Sequence, residues 1–287
     1  MHGIRRRTAD PSSAGREGYC RRVTTIDGGW LSSELVRPGS LWRSIEVLAE
    51  TGSTNADLAA AARSGAASPG SVLVSGYQSA GRGRQGRQWS APPGTSVAIS
   101  LLVAPHDIPV QRWSWLSLLA GLAVVEGLRR ICPVDARLKW PNDVLVGERK
   151  LCGILAERVE TPHGPACVVG IGINVALGAD QLPVPTATSL ALLAPDAPTP
   201  SATRVVAAVL GAFELIFAEW ERNSDDAAFA AAYVARSATI GRHVRVELTG
   251  DRAVEGVAEA IDTDGRLVVR TATGPRSFSA GDVTHLF

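Results

Sequence analysis

Residues able to do polar chemistry cluster in two short stretches of the 287-residue chain. The first, residues 78–90 (QSAGRGRQGRQWS), interleaves Arg82, Arg84 and Arg87 with Gly81, Gly83 and Gly86 and closes on Trp89. No Asp or Glu lies between Asp57 and Asp107, so nothing local neutralises these guanidiniums. Glycine lets the backbone approach a ligand closely, and the guanidinium fork suits phosphate and carboxylate oxygens. The stretch is a poor helix and a poor strand. It is therefore expected to be a mobile loop that folds over a phosphate-bearing small molecule. The second stretch, residues 136–146 (ARLKWPNDVLV), alternates Arg137 and Lys139 with Leu138 and Trp140 as a strand does, then turns at Pro141, Asn142 and Asp143. Lys139 thus ends a strand and points away from Trp140. Taken alone, such a lysine reads as a solvated edge residue.

Three other readings of the arginine stretch fail on context. Residues 81–86 satisfy GxGxxG, but that pattern needs a helix to open from it. Here Pro92, Pro93 and Gly94 follow. A phosphate-binding P-loop needs Gly-Lys-Ser/Thr at its end, which is missing. An Arg/Gly nucleic-acid tract would repeat in a disordered region, whereas this one lies between two strand-like runs. A solvated Arg/Gly surface loop stays open on these residues alone.

The flanking sequence supplies the elements that must position these groups. A short strand near residues 43–50 leads to Ser53 or Thr54 as helix N-cap, and Gly65 is a natural stop for the Ala-rich helix that follows. A hydroxyl-bearing helix N-terminus can anchor a polar ligand as well as cap. Residues 72–75 read as a strand entering the arginine loop and 96–103 as a buried strand leaving it. Residues 113–130 have helical apolar periodicity, and their tryptophans read as packing. Residues 144–146 and 151–157 form a hairpin, and 167–175 another buried strand. Glycines at 153, 170 and 172 inside strands call for close backbone approach or a bulge. Two amphipathic helices follow, over 201–223 and 225–235. From Gly241 the pattern becomes short alternating strands with Gly-rich turns, expected to make a small β-barrel or sandwich.

Composition bounds the class. Hydrophobic content of 45%, charge of 20% and a net charge of +1 describe a folded globular protein with no global pull toward nucleic acid or membrane. Four cysteines without a pairing pattern, and no secretory signal, point to reduced thiols in the cytoplasm. Residues 1–40, with Arg5, Arg6, Arg7, Arg21 and Arg22, read as a disordered leader without a helix-turn-helix. A domain over 41–236 and a small β-barrel over 237–287 complete the expected organisation.

Taken together, Ser53-Thr54-Asn55, GRGRQGRQW at 81–89, KWPND at 139–143, KLCGIL at 150–155 and GIGIN at 170–174 resemble the biotin–protein ligases in order and spacing. The resemblance implies an α+β fold: a mixed β-sheet flanked by helices, of the class II aminoacyl-tRNA-synthetase type, plus a C-terminal β-barrel. It implies the monofunctional branch, with no DNA-binding domain and no DNA partner. The implied reaction joins biotin and ATP, with Mg²⁺, into biotinyl-5′-AMP, then passes biotin to a lysine of a biotin carboxyl carrier domain of a carboxylase. By similarity Lys139 and Arg84 are catalytic. Ser53, Thr54, Asn55, Gln78, Gly81, Arg82, Lys139, Gly153 and Leu155 would bind biotin. Arg82, Arg84, Arg87, Trp89, Asn142 and Asn174 would meet ATP and the adenylate. No fixed metal site is expected; Asp143 would serve Mg²⁺ or the turn. Gln85 stands where some relatives carry a basic residue. A monomer or weak dimer off the membrane is expected. Lipoate–protein ligase is the alternative enzyme, and a nucleic-acid-binding module the alternative of another class.

Overall fold

The computed structural model describes residues 25–223, 225–248 and 252–286. The first described helix, α1 (Gly28–Leu35), is capped by Asp27, whose side chain accepts from the Trp30 amide. Leu31 is fully buried, and Leu35 and Trp42 are buried beside it. This stretch was expected to belong to a disordered leader reaching residue 40. Instead, apolar residues at i and i+4 dock it on the core; residues 1–24 lie outside the described residues.

Strand β1 (Ser44–Leu48) leads to helix α2 (Thr54–Ser64), and β2 (Ser71–Ser75) follows. Ser53 caps α2, its hydroxyl accepting from the Ala56 amide, and Gly65 closes the helix in the left-handed region at φ 78°. The arginine stretch forms a small hairpin, β3 (Gly81–Arg82) and β4 (Gln88–Trp89), around a one-turn 3₁₀ segment at Arg84–Gly86. Gln85 at the tip takes a positive φ of 54°. Next come β5 (Ser96–Val103), buried along its whole length, and α3 (Trp115–Ile131). β6 (Ala136–Lys139), β7 (Asp143–Val146), β8 (Arg149–Thr161) and β9 (Gly164–Asn174) follow. Three helices complete the domain: α4 (Leu190–Leu193), α5 (Ala202–Arg222) and α6 (Ala227–Ala235).

Seven strands form one sheet in the order β1-β2-β5-β9-β8-β7-β6, parallel only between β1 and β2. The period-2 alternation of strand side chains splits β9 between two layers. Val169, Ile171 and Ile173 face the large core under α3 and α5, while Val168 packs with Leu58 and Ala62 of α2. Gly170 and Gly172 share the α2 face with Val168, and that is where the sheet opens into a cavity. β6 is an edge strand. Its outer side is taken by the chain after α6: Leu138 donates to the Arg236 carbonyl (2.8 Å) and accepts from the Ala238 amide (2.7 Å).

The C-terminal strands β10 (His243–Leu248), β11 (Arg252–Ile261), β12 (Leu267–Thr271), β13 (Gly274–Phe278) and β14 (Asp282–His285) make an antiparallel sheet ordered β13-β12-β11-β10-β14. The ladder runs from β13 to β14, with a bulge between Ala258 and Ala260. The sheet docks through two tryptophans, of which Trp115 was read in sequence as packing. Trp115 Nε1 donates to the Thr263 carbonyl (2.8 Å) and Trp140 Nε1 to the Gly265 carbonyl (3.1 Å). Both indoles are essentially inaccessible. These bonds satisfy two buried donors and bring β14 to the mouth of the cavity.

Candidate active site

A cavity of about 800 Å³ lies between the N-terminus of α2, the arginine hairpin, the open face of β8 and β9, and β14. Its lining includes every sequence-derived site residue except Gly81. Gly81 sits instead inside the hairpin, paired with Trp89, and a Cβ there would lie 2.4 Å from the Trp89 carbonyl oxygen. A glycine there lets β3 and β4 close.

The α2 end of the cavity is a hydrogen-bonded cluster. Gln78 Oε1 accepts from the Thr54 amide (2.8 Å) and from Thr54 Oγ1 (3.0 Å). The buried Ser100 hydroxyl lies 2.8 Å from Thr54 Oγ1 and 2.7 Å from Asn55 Oδ1. Asn55 Nδ2 donates to the Leu155 carbonyl (3.1 Å) and to Glu157 (2.8 Å). Ser53 both caps the helix and lines the cavity, so the two readings of it coexist. These side chains are fixed by one another before any ligand arrives.

The strand glycines admit side chains rather than leave empty floor. A Cβ on Gly172 would come within 2.7 Å of the Trp89 ring, and one on Gly170 within 2.2 Å of Asn55 Oδ1. The space over Gly153, assigned in sequence to ligand approach, is shared by Trp89 and Lys150, each 3.2 Å from a Cβ placed there. Trp89 therefore lies flat against the sheet. Its indole N–H is buried with no hydrogen-bond partner among the described residues.

The arginines have partners that the local sequence did not reveal. Arg82 faces Glu157 at 3.8 Å. Arg87 pairs with Asp282 at 2.5 Å, and Arg84 approaches the same carboxylate at 3.9 Å. Arg84 Nη1 also donates to Asn142 Oδ1 (3.0 Å) and to the Gly281 carbonyl (3.3 Å). The hairpin was expected to have nothing to pack on in the absence of an anion; Asp282 and Glu157 supply those contacts. Burial pulls the Arg84 pKa down, offset in part by Asp282, yet a guanidinium keeps its charge at any physiological pH.

Lys139 differs. Partly buried at the end of β6, its ammonium makes no hydrogen bond or ion pair among the described residues. The nearby Asp143 is engaged by Lys150 at 2.6 Å. Burial pushes the Lys139 pKa down, Asp143 opposes that, and Lys150 adds to it. Asn142 is locked by bonds to both the amide (2.8 Å) and the carbonyl (3.0 Å) of Ile154. Asn174, buried, donates to the Thr188 carbonyl at 2.9 Å.

Asp282, Glu157, Lys150, Glu148, Ser100 and His285 border the site without having been assigned a part from sequence. Lys150 sat inside a recognised motif. The others carry no local signal, because their partners lie far along the chain. Among the described residues no three His, Cys, Asp or Glu side chains converge into a metal cluster. Asp143, Glu148 and Asp282 line the cavity without converging on one point, which fits Mg²⁺ held mainly by phosphate oxygens and water.

The two parts of the chain match two family descriptions in the same order. Residues 47–174 match "Biotin/lipoate A/B protein ligase family" and residues 239–286 match "Biotin protein ligase C terminal domain". Fold and site thus define the biotin and lipoate protein ligase class. The chain is 45% identical over 264 residues to the biotin–[acetyl-CoA-carboxylase] ligase of Mycobacterium tuberculosis, covering 91% of this chain and 96% of that one. It is 34% identical over 249 residues to the enzyme of that name from Paracoccus denitrificans, covering 83% and 98%. Biotin protein ligase from Aquifex aeolicus, solved with biotin and ATP, superposes with a TM-score of 0.72 at 26% identity, covering 85% of this chain and 99% of that one. The chain belongs to the biotin–protein ligase family.

Proposed function

We infer that this chain is an ATP-dependent biotin–protein ligase that makes biotinyl-5′-AMP and transfers the biotinyl group to a carrier lysine. The observation that carries the reading is the Lys139 ammonium, unpaired among the described residues and fixed at a strand end in a cavity whose other cations already have carboxylate partners. Such a charge is stabilised by an incoming anion. At 4 Å and an effective dielectric constant near 20 the attraction is about 4 kcal/mol.

In the first step the biotin carboxylate attacks the α-phosphorus of ATP, the bond to the bridging oxygen breaks, and pyrophosphate leaves. The reactants are both anions. Lys139 would hold carboxylate and α-phosphate oxygens together, while Arg84 and Arg87 would turn from Asp282 toward the phosphates. Thr54, Asn55 and Gln78 form the polar wall suited to the biotin headgroup. The buried Trp89 indole is suited to the nucleotide. Mg²⁺ would arrive with the phosphates and offset their charge beside Asp143 and Asn142. In the second step a neutral carrier lysine attacks the acyl carbon, the bond to the phosphate oxygen breaks, and AMP leaves with that electron pair. Lys139 would neutralise the charge developing on that oxygen.

The acceptor is a biotin carboxyl carrier domain, and the setting is the cytoplasm. Three cysteines among the described residues are unpaired, as reduced conditions require, and no described helix is long and apolar enough to cross a membrane. The test is incubation of the full chain with labelled biotin, ATP and an apo carrier domain. One labelled carrier lysine, with AMP and pyrophosphate released, is expected. Labelling with lipoate in preference to biotin would overturn the reading.

A further inference from the structure

The device that fixes Lys139 is itself visible, and it reaches into the C-terminal sheet. Beyond Lys139, the Trp140 amide donates to Thr239 Oγ1 at 3.2 Å. Thr239 is fully buried in the segment that pairs with the outer edge of β6. The same hydroxyl lies 3.1 Å from Nε2 of His285, on β14. The other ring nitrogen, Nδ1, faces Glu148 at 3.7 Å, and Glu148 is held by Arg242 at 2.6 Å. The His285 ring is only 8% exposed and lines the cavity beside Lys139.

Donor and acceptor counting gives one arrangement that satisfies every group. A hydroxyl has one proton and two lone pairs. Thr239 accepts from the Trp140 amide and donates to Nε2, leaving the imidazole proton on Nδ1, toward Glu148. We propose that Thr239 and His285 are positioning residues for Lys139, fixing the strand end through the Trp140 amide and keeping its ammonium beside an uncharged ring. The inference rests on the catalytic part assigned to Lys139.

A second proton on His285 breaks the arrangement. Nε2–H would then have to donate to Thr239, whose own proton loses its partner inside the core. A second cation would also stand beside Lys139. The charged groups facing the ring are Lys139 from β6, Glu148 from the β7–β8 turn and Arg242 preceding β10. Asp282 lies on its own strand, with Asp143 and Lys150 further along the cavity. Burial, then Lys139 and Arg242, hold the imidazole below its ordinary value against the pull of Glu148, so the ring is neutral at pH 7 and charges only in acid.

The experiment is single-turnover adenylate formation by the full chain between about pH 5 and pH 9, a window that brackets imidazole titration. Thr239→Val, close in shape but lacking the hydroxyl, is expected to slow the step about tenfold at saturating biotin and ATP, while Thr239→Ser keeps most of the rate. His285→Gln is expected to erase the fall in rate on the acid side. Melting temperatures of the variants separate loss of fold from loss of position. A Thr239→Val rate equal to the parent's, or an acid limb that persists in His285→Gln, would overturn the proposal. Lys139→Ala runs in parallel. If it alone leaves the rate intact, the reading of Lys139 fails; if it slows while the Thr239 and His285 variants do not, only the positioning claim fails.

Discussion

Two regions of the cavity wall carry positive charge in opposite ways. The arginine hairpin holds its charge in pairs: Arg82 with Glu157, Arg84 and Arg87 with Asp282. The end of β6 holds Lys139 without a partner among the described residues, on a backbone bonded on both sides. The hairpin's arginines must give up one anion to take another, so their net gain on meeting phosphate is a difference between two attractions. Lys139 has no hydrogen bond or ion pair among the described residues to give up. Position follows the same division, because the hairpin can move with its exchange of partners, whereas the strand end is set by the sheet. Chemistry thus falls to the fixed charge and retention of the intermediate to the exchanging ones.

The largest expected effect comes from removing the fixed charge. Lys139→Ala should slow both adenylate formation and transfer from supplied biotinyl-5′-AMP by about 10²–10³-fold, as loss of a transition-state contact does. Rapid-quench measurement of each step checks this. Next in size is Gly172→Ala. Its Cβ would sit 2.7 Å from the Trp89 ring, and overpacking of that kind costs about 1–3 kcal/mol. The displaced indole should weaken nucleotide binding more than biotin binding, read by calorimetry with each ligand. Smallest is Asp282→Asn, which removes the carboxylate shared by Arg84 and Arg87. Amides of residues 81–89 should exchange several-fold faster without ligand and be equally protected once the adenylate is bound. Equal exchange in the free proteins would mean that the C-terminal sheet does not anchor the hairpin.

The same division explains what sequence alone could reveal. β5, the α2 cap at Ser53, the Gly65 stop and the Lys139 strand end are local signals, legible because period and cap chemistry act over a few residues. Strand glycines at 170 and 172 announced close approach correctly but not what approaches; Trp89 and Asn55 arrive from elsewhere in the chain. The hairpin was misjudged as unsupported because Asp282 lies 195 residues beyond Arg87. His285 and Glu148 were invisible for the same reason. Helix α1 was overlooked because three apolar residues in eight, one of them the exposed Trp30, give weak periodicity, although Leu31 is fully buried. Gly81 entered the expected ligand set with its motif; the backbone contact a Cβ there would make, with the Trp89 carbonyl, was not legible in sequence.

The most direct test of fixed against exchanging charge is a partition experiment. The parent chain, Lys139→Ala and Arg84→Ala are each given biotin and ATP without carrier, and bound adenylate is separated from free adenylate over time. The account predicts that Lys139→Ala makes adenylate slowly and keeps what it makes. Arg84→Ala should make it more readily and release it, labelling bystander lysines in solution. Leakage from Lys139→Ala equal to that from Arg84→Ala, or normal formation rates in Lys139→Ala, would contradict the division of labour between strand and hairpin.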